Sequence, residues 1–139
     1  MPDDVLINKA ATIERCVARA RDEYHRDPAT FALDFTRQDA AVLNVQRACE
    51  AALDIGQHIV RRERLGVPQG ARDVFELLAR GGWIEASLAE ALKRMVAFRD
   101  IAVHDYQSLL LTITINVITQ HLGEFLLVTQ ALLMRDSTD

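Results

Sequence analysis

The stretch Arg99-Asp100-Ile101-Ala102-Val103-His104-Asp105-Tyr106 decides how the chain is read, because it joins two strongly helical segments and holds three chemically active side chains. Arg99 is a permanent cation whose five donors suit a phosphate group. An imidazole can take or give a proton near neutral pH, so His104 is a candidate acid or base. Tyr106 carries a phenol that can donate a hydrogen bond or, with a base, act as a nucleophile.

Spacing decides whether Arg99 and His104 can act together. Residues five apart on one continuous helix are rotated by about 140° from each other, so these two side chains would point to different sides. They converge only if the helix ends near Val103 and the chain turns, or if a second copy of the chain completes the site. Both alternatives fit the pattern, since a new helical segment begins near Ser108.

Helical periodicity extends outward from this stretch over most of the chain. The first helix is expected to be capped by Asp3 or Asp4 and the second by Thr36, and the five expected helices span about 4–26, 36–64, 71–80, 84–103 and 109–134. The phenylalanines of residues 31–35 are expected to plug the core from a connector or a single turn. β-Branched residues at 112–118 make a strand the competing interpretation of the last segment, but its length favours a helix. The patterns predict an all-α fold, an antiparallel bundle of four main helices plus a short extra helix.

Composition agrees with one all-helical domain spanning residues 1–139. Half of the residues are apolar, and only three prolines and six glycines interrupt the chain. We find no signal peptide, and polar residues break the longest apolar run, so no membrane span and a cytoplasmic location are expected. The net charge of −4 argues against a protein that coats nucleic acid generally, but it permits a local RNA site.

The cysteines and the remaining histidines predict no metal site and no cofactor. Cys16 and Cys49 lie on apolar helix faces without metal-ligand spacing, which indicates reduced core thiols in a cytosolic protein. His25, His58 and His121 are isolated from one another along the chain, so we interpret them as ordinary histidines.

The pattern Arg-x4-His-x-Tyr, with a polar residue directly after the arginine, resembles the signature of HEPN domains, and of their HepT-like branch in particular. The resemblance runs from about Asn8 to about Leu127. Three other segments look HepT-like in the same order, namely Phe35-Thr36-Arg37-Gln38-Asp39, Asn44-Val45-Gln46-Arg47-Ala48-Cys49-Glu50-Ala51 and Leu65-Gly66-Val67-Pro68-Gln69. HEPN domains are helical bundles, so the resemblance and the periodicity imply the same fold.

The resemblance implies the toxin of a type II-like HEPN/MNT toxin–antitoxin system, a homodimeric endoribonuclease that needs no metal. Arg99 and His104 would be its catalytic residues, facing the same pair of a second protomer. In metal-independent cleavage the RNA's own 2′-hydroxyl attacks, a base and an acid move protons, and a cation stabilises the phosphorane. His104 suits the base or acid role, and Arg99 suits the cation role.

Three carboxylates are expected to support this pair. Asp100 could orient a histidine or pair with an arginine. Glu50 and Asp54 lie four residues apart on the second helix and resemble the acidic residues of HepT-like proteins there, where they would position Arg99 by ion pairing. A solvated acidic face stays open as the alternative.

Tyr106 has a structural and a functional interpretation. It could simply pack the turn against the bundle. The resemblance implies instead that it accepts AMP groups from a cognate minimal nucleotidyltransferase antitoxin, which would place anionic phosphates where RNA must bind. The alternative function is a non-catalytic helical accessory or nucleotide-binding subunit of a nucleotidyltransferase complex. The basic run Arg61-Arg62-Glu63-Arg64 could guide RNA or the antitoxin, or be a solvated helix end.

Overall fold

The described part of the protein, residues 3–138 of a computed structural model, is a helical bundle. Its helices are α1 Asp4–His25, α2 Pro28–Phe31, α3 Phe35–Arg62, α4 Ala71–Arg80, α5 Ala86–His104, α6 Leu111–Asn116 and α7 Gly123–Thr138. A 3₁₀ turn spans Tyr106–Ser108, and a π-helical segment, Val117–His121, joins α6 to α7 into one helix. No strand occurs within residues 3–138. The predicted all-α architecture of four main helices and a short extra helix is therefore confirmed.

Helix caps explain where the first two long helices begin. The Asp3 side chain accepts hydrogen bonds from first-turn amides of α1, as predicted. The cap predicted for the second long helix is wrong, because Asp34 and not Thr36 occupies that position. Its Oδ1 atom accepts a hydrogen bond of 3.1 Å from the backbone N–H of Arg37, so α3 begins at Phe35.

The core lies where α1, α3, α4, α5 and α7 face one another. Phe31 is fully buried, as expected of a ring that plugs the core, whereas Phe35 is 75% exposed, so only one of the two rings does this. Cys16 and Cys49 are buried free thiols, which confirms their predicted core position. The largest fully buried side chains are Phe31, Phe75, Phe125, Leu6, Ile13, Ile55, Ile59, Leu78, Leu92, Ile118, Leu122 and Leu132.

An ion-pair network ties the two ends of the described chain together. Asp3 accepts hydrogen bonds from His58 Nε2 at 2.7 Å and from Arg62 at 2.9 Å, and Arg62 also pairs with Asp136 at 2.7 Å. Burial alone would raise the pKa of Asp3, but these two donors lower it to about 2. Arg62, the middle arginine of the basic run at 61–64, is thus engaged in the fold.

The last helix, Leu111–Thr138, is long and apolar enough to cross a membrane by length and mean hydropathy alone, contrary to the expectation from the sequence. These two properties do not distinguish a membrane span from a core helix. One face of this helix packs into the bundle through Val117, Ile118, Phe125 and Val128. Its opposite face leaves Ile113, Leu127 and Met134 about half exposed.

Arg37 fastens the α1–α2 corner to the start of α3. Its side chain is only 8% exposed. The guanidinium donates to the carbonyl of Glu23 at 2.8 Å, to that of Asp27 at 2.9 Å, to that of Tyr24 at 3.3 Å and to the Thr30 hydroxyl at 2.8 Å. One buried cation therefore satisfies backbone carbonyls that the end of α1 leaves without helical partners.

Replacing this cation should strongly destabilise the fold. In Arg37→Met the partly buried carbonyls of Glu23 and Tyr24 lose their side-chain donor, so we expect the free energy of unfolding to fall by about 3 kcal/mol. Urea denaturation monitored by circular dichroism measures the free energy of unfolding. The matched control is Arg61→Met on the exposed face of α3, which should change stability by less than about 0.5 kcal/mol. Equal losses in the two variants would contradict the assigned role of Arg37.

Candidate functional site

The structure places the three active side chains at the end of α5 and in the turn that follows. Arg99 and His104 lie on the same continuous helix, because α5 extends through His104. Their side chains are therefore rotated by about 140° from each other. The helix ends one residue beyond the predicted Val103, and a 3₁₀ turn over Tyr106–Ser108 follows it.

Arg99 is mostly buried yet keeps an unused donor. Its side chain is 19% exposed, and its Nε atom is buried without a hydrogen-bond partner among residues 3–138. The nearest carboxylate is Asp100, with Oδ1 3.4 Å from Nε. Burial raises the pKa of the neighbouring Cys49 thiol to about 12, against the opposing effect of the Arg99 guanidinium. The Arg99 guanidinium thus lies beside a neutral thiol.

Arg99 lines an open cavity of about 520 Å³ between α3, the 68–70 loop and α5. This cavity, here called the Arg99 cleft, is lined by Glu50, Leu53, Asp54, Gln57, Pro68, Gln69, Gly70, Ala71 and Arg99. The structure thus brings the two predicted α3 carboxylates into the same cleft as the arginine.

The predicted supporting carboxylates engage other partners in the described chain. Asp54 pairs with Lys9 at 3.0 Å, and Glu50 accepts a hydrogen bond from Gln46 at 3.2 Å. Within residues 3–138 neither has the expected ion pair with Arg99. Both therefore contribute negative charge to the cleft and leave the guanidinium available.

Asp100 lies between two arginines. Its Oδ1 is 3.4 Å from Arg99 Nε, and its Oδ2 is 3.9 Å from Arg72 on α4. Both Asp100 and Arg72 are substantially exposed, so this second contact is weak. Pairing with an arginine, one of the two roles expected for Asp100, agrees with this arrangement.

Tyr106 is held by a residue that the sequence analysis did not single out. Its hydroxyl donates a hydrogen bond to Oδ1 of Asp39, which lies 67 positions earlier and near the start of α3. Burial, and then the adjacent carboxylate, raise the pKa of the Tyr106 phenol to about 12. The side chain is nevertheless 43% exposed, so it is accessible to another molecule. The only sequence signal for Asp39 was its place in a HepT-like segment.

The other histidines are engaged away from Arg99. His58 binds Asp3, and His121 Nδ1 lies 2.8 Å from Glu124 Oε1. Within the described range, no group of three or more metal-ligating side chains is close enough to hold an ion. The arrangement offers a phosphate-binding cation, an exposed imidazole and a hydrogen-bonded phenol.

A helical bundle with this arginine, histidine and tyrosine at the end of one helix defines the class of HEPN proteins. The model of the HepT-like ribonuclease family matches residues 13–132, and the chain belongs to that family. The mRNA nuclease HepT of Shewanella oneidensis is 50% identical over 123 residues, which cover 88% of this chain and 92% of that protein.

Solved structures agree with this assignment. A toxin–antitoxin crystallised with AMP-PNP superposes with a TM-score of 0.89 at 46% identity, covering 94% of this chain and 98% of that one. A tri-AMPylated HEPN toxin of Shewanella oneidensis in complex with an MNT antitoxin also has a TM-score of 0.89. The two chains are 47% identical, and the superposition covers 94% of this chain and 97% of that one. The HEPN fold of this chain is therefore confirmed.

Proposed function

We propose that this protein is the toxin of a type II-like HEPN/MNT toxin–antitoxin system, a metal-independent endoribonuclease neutralised by AMPylation of Tyr106. One observation carries the nuclease proposal. Arg99 lines a cleft of about 520 Å³, and the exposed His104 follows five positions later on the same helix. The identity of 50% with an mRNA nuclease supports the same activity.

The residue chemistry suits transesterification by the 2′-hydroxyl of RNA. His104 acts as base or acid, so that the 2′-oxygen attacks phosphorus as the 5′-oxygen leaves with a proton. Arg99 donates to the non-bridging oxygens, where negative charge develops. The reaction needs a base, an acid and a cation, and two protomers together supply two histidines and two arginines.

A homodimer is part of this proposal, since the helical rotation separates Arg99 from His104 within one copy. Ile101 and Val103 precede His104 on α5 and are 42% and 43% exposed. Ile113 is 49% exposed on the neighbouring α6. A cavity of about 290 Å³ lies between α5 and α6 beside Ile101 and Ile113. These exposed apolar groups close to His104 suit burial by a second copy.

Tyr106 is the proposed acceptor of AMP from the cognate minimal nucleotidyltransferase antitoxin. Its phenolic oxygen attacks the α-phosphorus of ATP, an O–P bond forms and pyrophosphate leaves. Asp39 already accepts the hydroxyl's hydrogen bond, so its carboxylate can take the proton. Each AMP adds an anionic phosphate two residues from His104, which repels the RNA backbone. The partners are thus RNA, a second copy and the antitoxin, in the cytoplasm.

The decisive experiment is RNA cleavage by the purified wild-type protein in excess EDTA, combined with its intact mass. We expect unmodified protein to cleave RNA without metal. Loss of activity in EDTA that added Mg²⁺ restores would contradict metal independence. Inactive protein carrying AMP would indicate a neutralised toxin. Inactive protein without AMP would favour the alternative, a non-catalytic accessory subunit of the nucleotidyltransferase.

A further inference from the structure

A second polar cavity, of about 340 Å³, lies between α1 and α3 and carries an unusual concentration of positive charge. It is lined by Lys9, Thr12, Arg15, Cys16, Arg19, Asn44, Arg47, Glu50, Ala51 and Asp54. We propose that this cavity, the α1–α3 groove, binds the phosphate backbone of the RNA strand that enters the Arg99 cleft. The inference rests on the proposed ribonuclease activity and deepens it, by identifying where the substrate is held outside the catalytic pair.

Helical periodicity builds the groove. Residues 9, 12, 16 and 19 recur at successive turns of α1, and residues 44, 47, 51 and 54 do the same on α3, so two facing stripes border one channel. Its floor includes the buried Cys16 and Asn44. The arginines at 15, 19 and 47 are exposed along its rims. From Lys9 to Arg19 the α1 border is roughly 15 Å long.

The charge of the groove has the opposite sign to that of the whole chain. The protein carries a net charge of −4, yet four of the ten lining side chains are cations and two are carboxylates. One of these carboxylates, Asp54, forms an ion pair with Lys9 at 3.0 Å. The three groove arginines form no ion pair with any described residue. Local positive charge on an acidic protein directs a polyanion to one place rather than to the whole surface.

The groove continues into the Arg99 cleft. Glu50 and Asp54 line both cavities, so a strand lying along the groove leads directly to Arg99. At this junction the carboxylates can accept hydrogen bonds from ribose 2′-hydroxyls, while the arginines hold the phosphates that precede them. The run at 61–64 is a poorer candidate, because Arg62 is already bound to Asp3 and Asp136.

The test compares two triple variants in a His104→Ala background, which prevents the substrate from being consumed. The groove variant is Arg15→Gln, Arg19→Gln and Arg47→Gln. The matched control is Arg21→Gln, Arg61→Gln and Arg64→Gln, which removes the same charge from exposed positions of α1 and from the end of α3. Fluorescence anisotropy with a labelled single-stranded RNA of mixed sequence gives the affinity at several salt concentrations.

We expect the groove variant to bind RNA more weakly and to depend less on salt. The negative slope of the logarithm of the association constant against log salt should become shallower by roughly 2, since each lost phosphate contact on a single strand removes about 0.7. The control should keep at least the greater part of the wild-type slope. An unchanged slope in the groove variant, or equal losses in both variants, would overturn the inference. Circular dichroism verifies that all proteins are folded.

The failure of this inference and that of the proposed function are distinguishable. If wild-type protein cleaves RNA but the two triple variants bind it equally well, the groove does not bind RNA and the proposed nuclease activity is retained. If RNA binding depends on the groove arginines but wild-type protein without AMP never cleaves RNA, the RNA-binding role of the groove is supported and the catalytic proposal is wrong. Absence of any RNA binding by the His104→Ala protein would overturn the groove directly.

Discussion

RNA cleavage should fall by roughly 10²- to 10³-fold in Arg99→Ala and in His104→Ala, measured in excess EDTA on protein that carries no AMP. Removing the guanidinium deprives the transition state of the cation nearest to the developing charge. Removing the imidazole deprives it of a proton carrier. Because both groups act in the same step, the double variant should lose little more than either single variant.

The chain offers a matched control for each substitution. Arg21 is an exposed arginine of α1, and His25 is an exposed histidine at the end of the same helix, so Arg21→Ala and His25→Ala should keep wild-type activity. Arg99 is largely buried, and Arg99→Lys therefore adds a test that preserves charge but not the guanidinium fork. We expect its activity to lie between those of wild type and Arg99→Ala. Equal cleavage by wild type and the two alanine variants would indicate a contaminating nuclease.

Mixing the two inactive variants tests whether the pair works across protomers. A mixed dimer of Arg99→Ala and His104→Ala holds one intact Arg99 and one intact His104, but on different copies. If the functional pair is formed between copies, co-refolded mixtures should regain part of the wild-type activity, because the one intact His104 can serve as base or as acid but not as both at once. If each copy used its own pair, the mixture would stay inactive, and α5 would have to bend near Val103 to bring the two side chains together.

Periodicity and spacing predicted the helices and the catalytic candidates because these signals are local. Apolar repeats identified each long helix, and the arginine, histidine and tyrosine all lie within eight residues. The cap of α3 was harder, since Asp34 and Thr36 are both good capping residues and only the fold selects between them. The end of α5 was predicted at about Val103, within one residue of the observed end at His104.

Contacts between distant parts of the chain could not be predicted in the same way. Asp39 and Tyr106 are 67 positions apart, and nothing in the pattern of either segment indicates the other. The π-helical segment Val117–His121 was also unexpected. The β-branched run before it had raised a strand as the alternative, but its buried face fits the bundle only as a helix. The two carboxylates at 50 and 54 were correctly placed on one face, whereas their partners depend on tertiary packing.

Loss of the phenolic oxygen should abolish AMPylation. We expect Tyr106→Phe to gain no AMP when it is incubated with the cognate nucleotidyltransferase, ATP and Mg²⁺, whereas wild type gains whole AMP units by intact mass. The ring and its packing are retained, so the loss reports on the nucleophile. The chain contains only two tyrosines, and Tyr24→Phe is therefore the matched control, which should be modified normally.

Asp39→Asn should slow the same reaction by roughly 10²-fold without abolishing it. The asparagine can still accept the hydrogen bond from Tyr106 through its amide oxygen, but it cannot take the proton. Asp22→Asn, at an exposed position of α1, is the matched control and should leave the rate unchanged.

The pH dependence separates the chemical role of Asp39 from a structural one. In wild type burial, and then the Asp39 carboxylate, raise the pKa of Tyr106 to about 12, so the neutral phenol reacts through its base over a broad pH range. In Asp39→Asn the anionic neighbour is gone and the pKa falls, so the rate should rise with pH as phenolate forms. If Asp39→Asn lowers the AMPylation rate by the same factor at every pH, Asp39 only holds the turn that carries Tyr106. AMP on Tyr106→Phe would place the acceptor elsewhere, and a normal rate in Asp39→Asn would assign the base to the antitoxin.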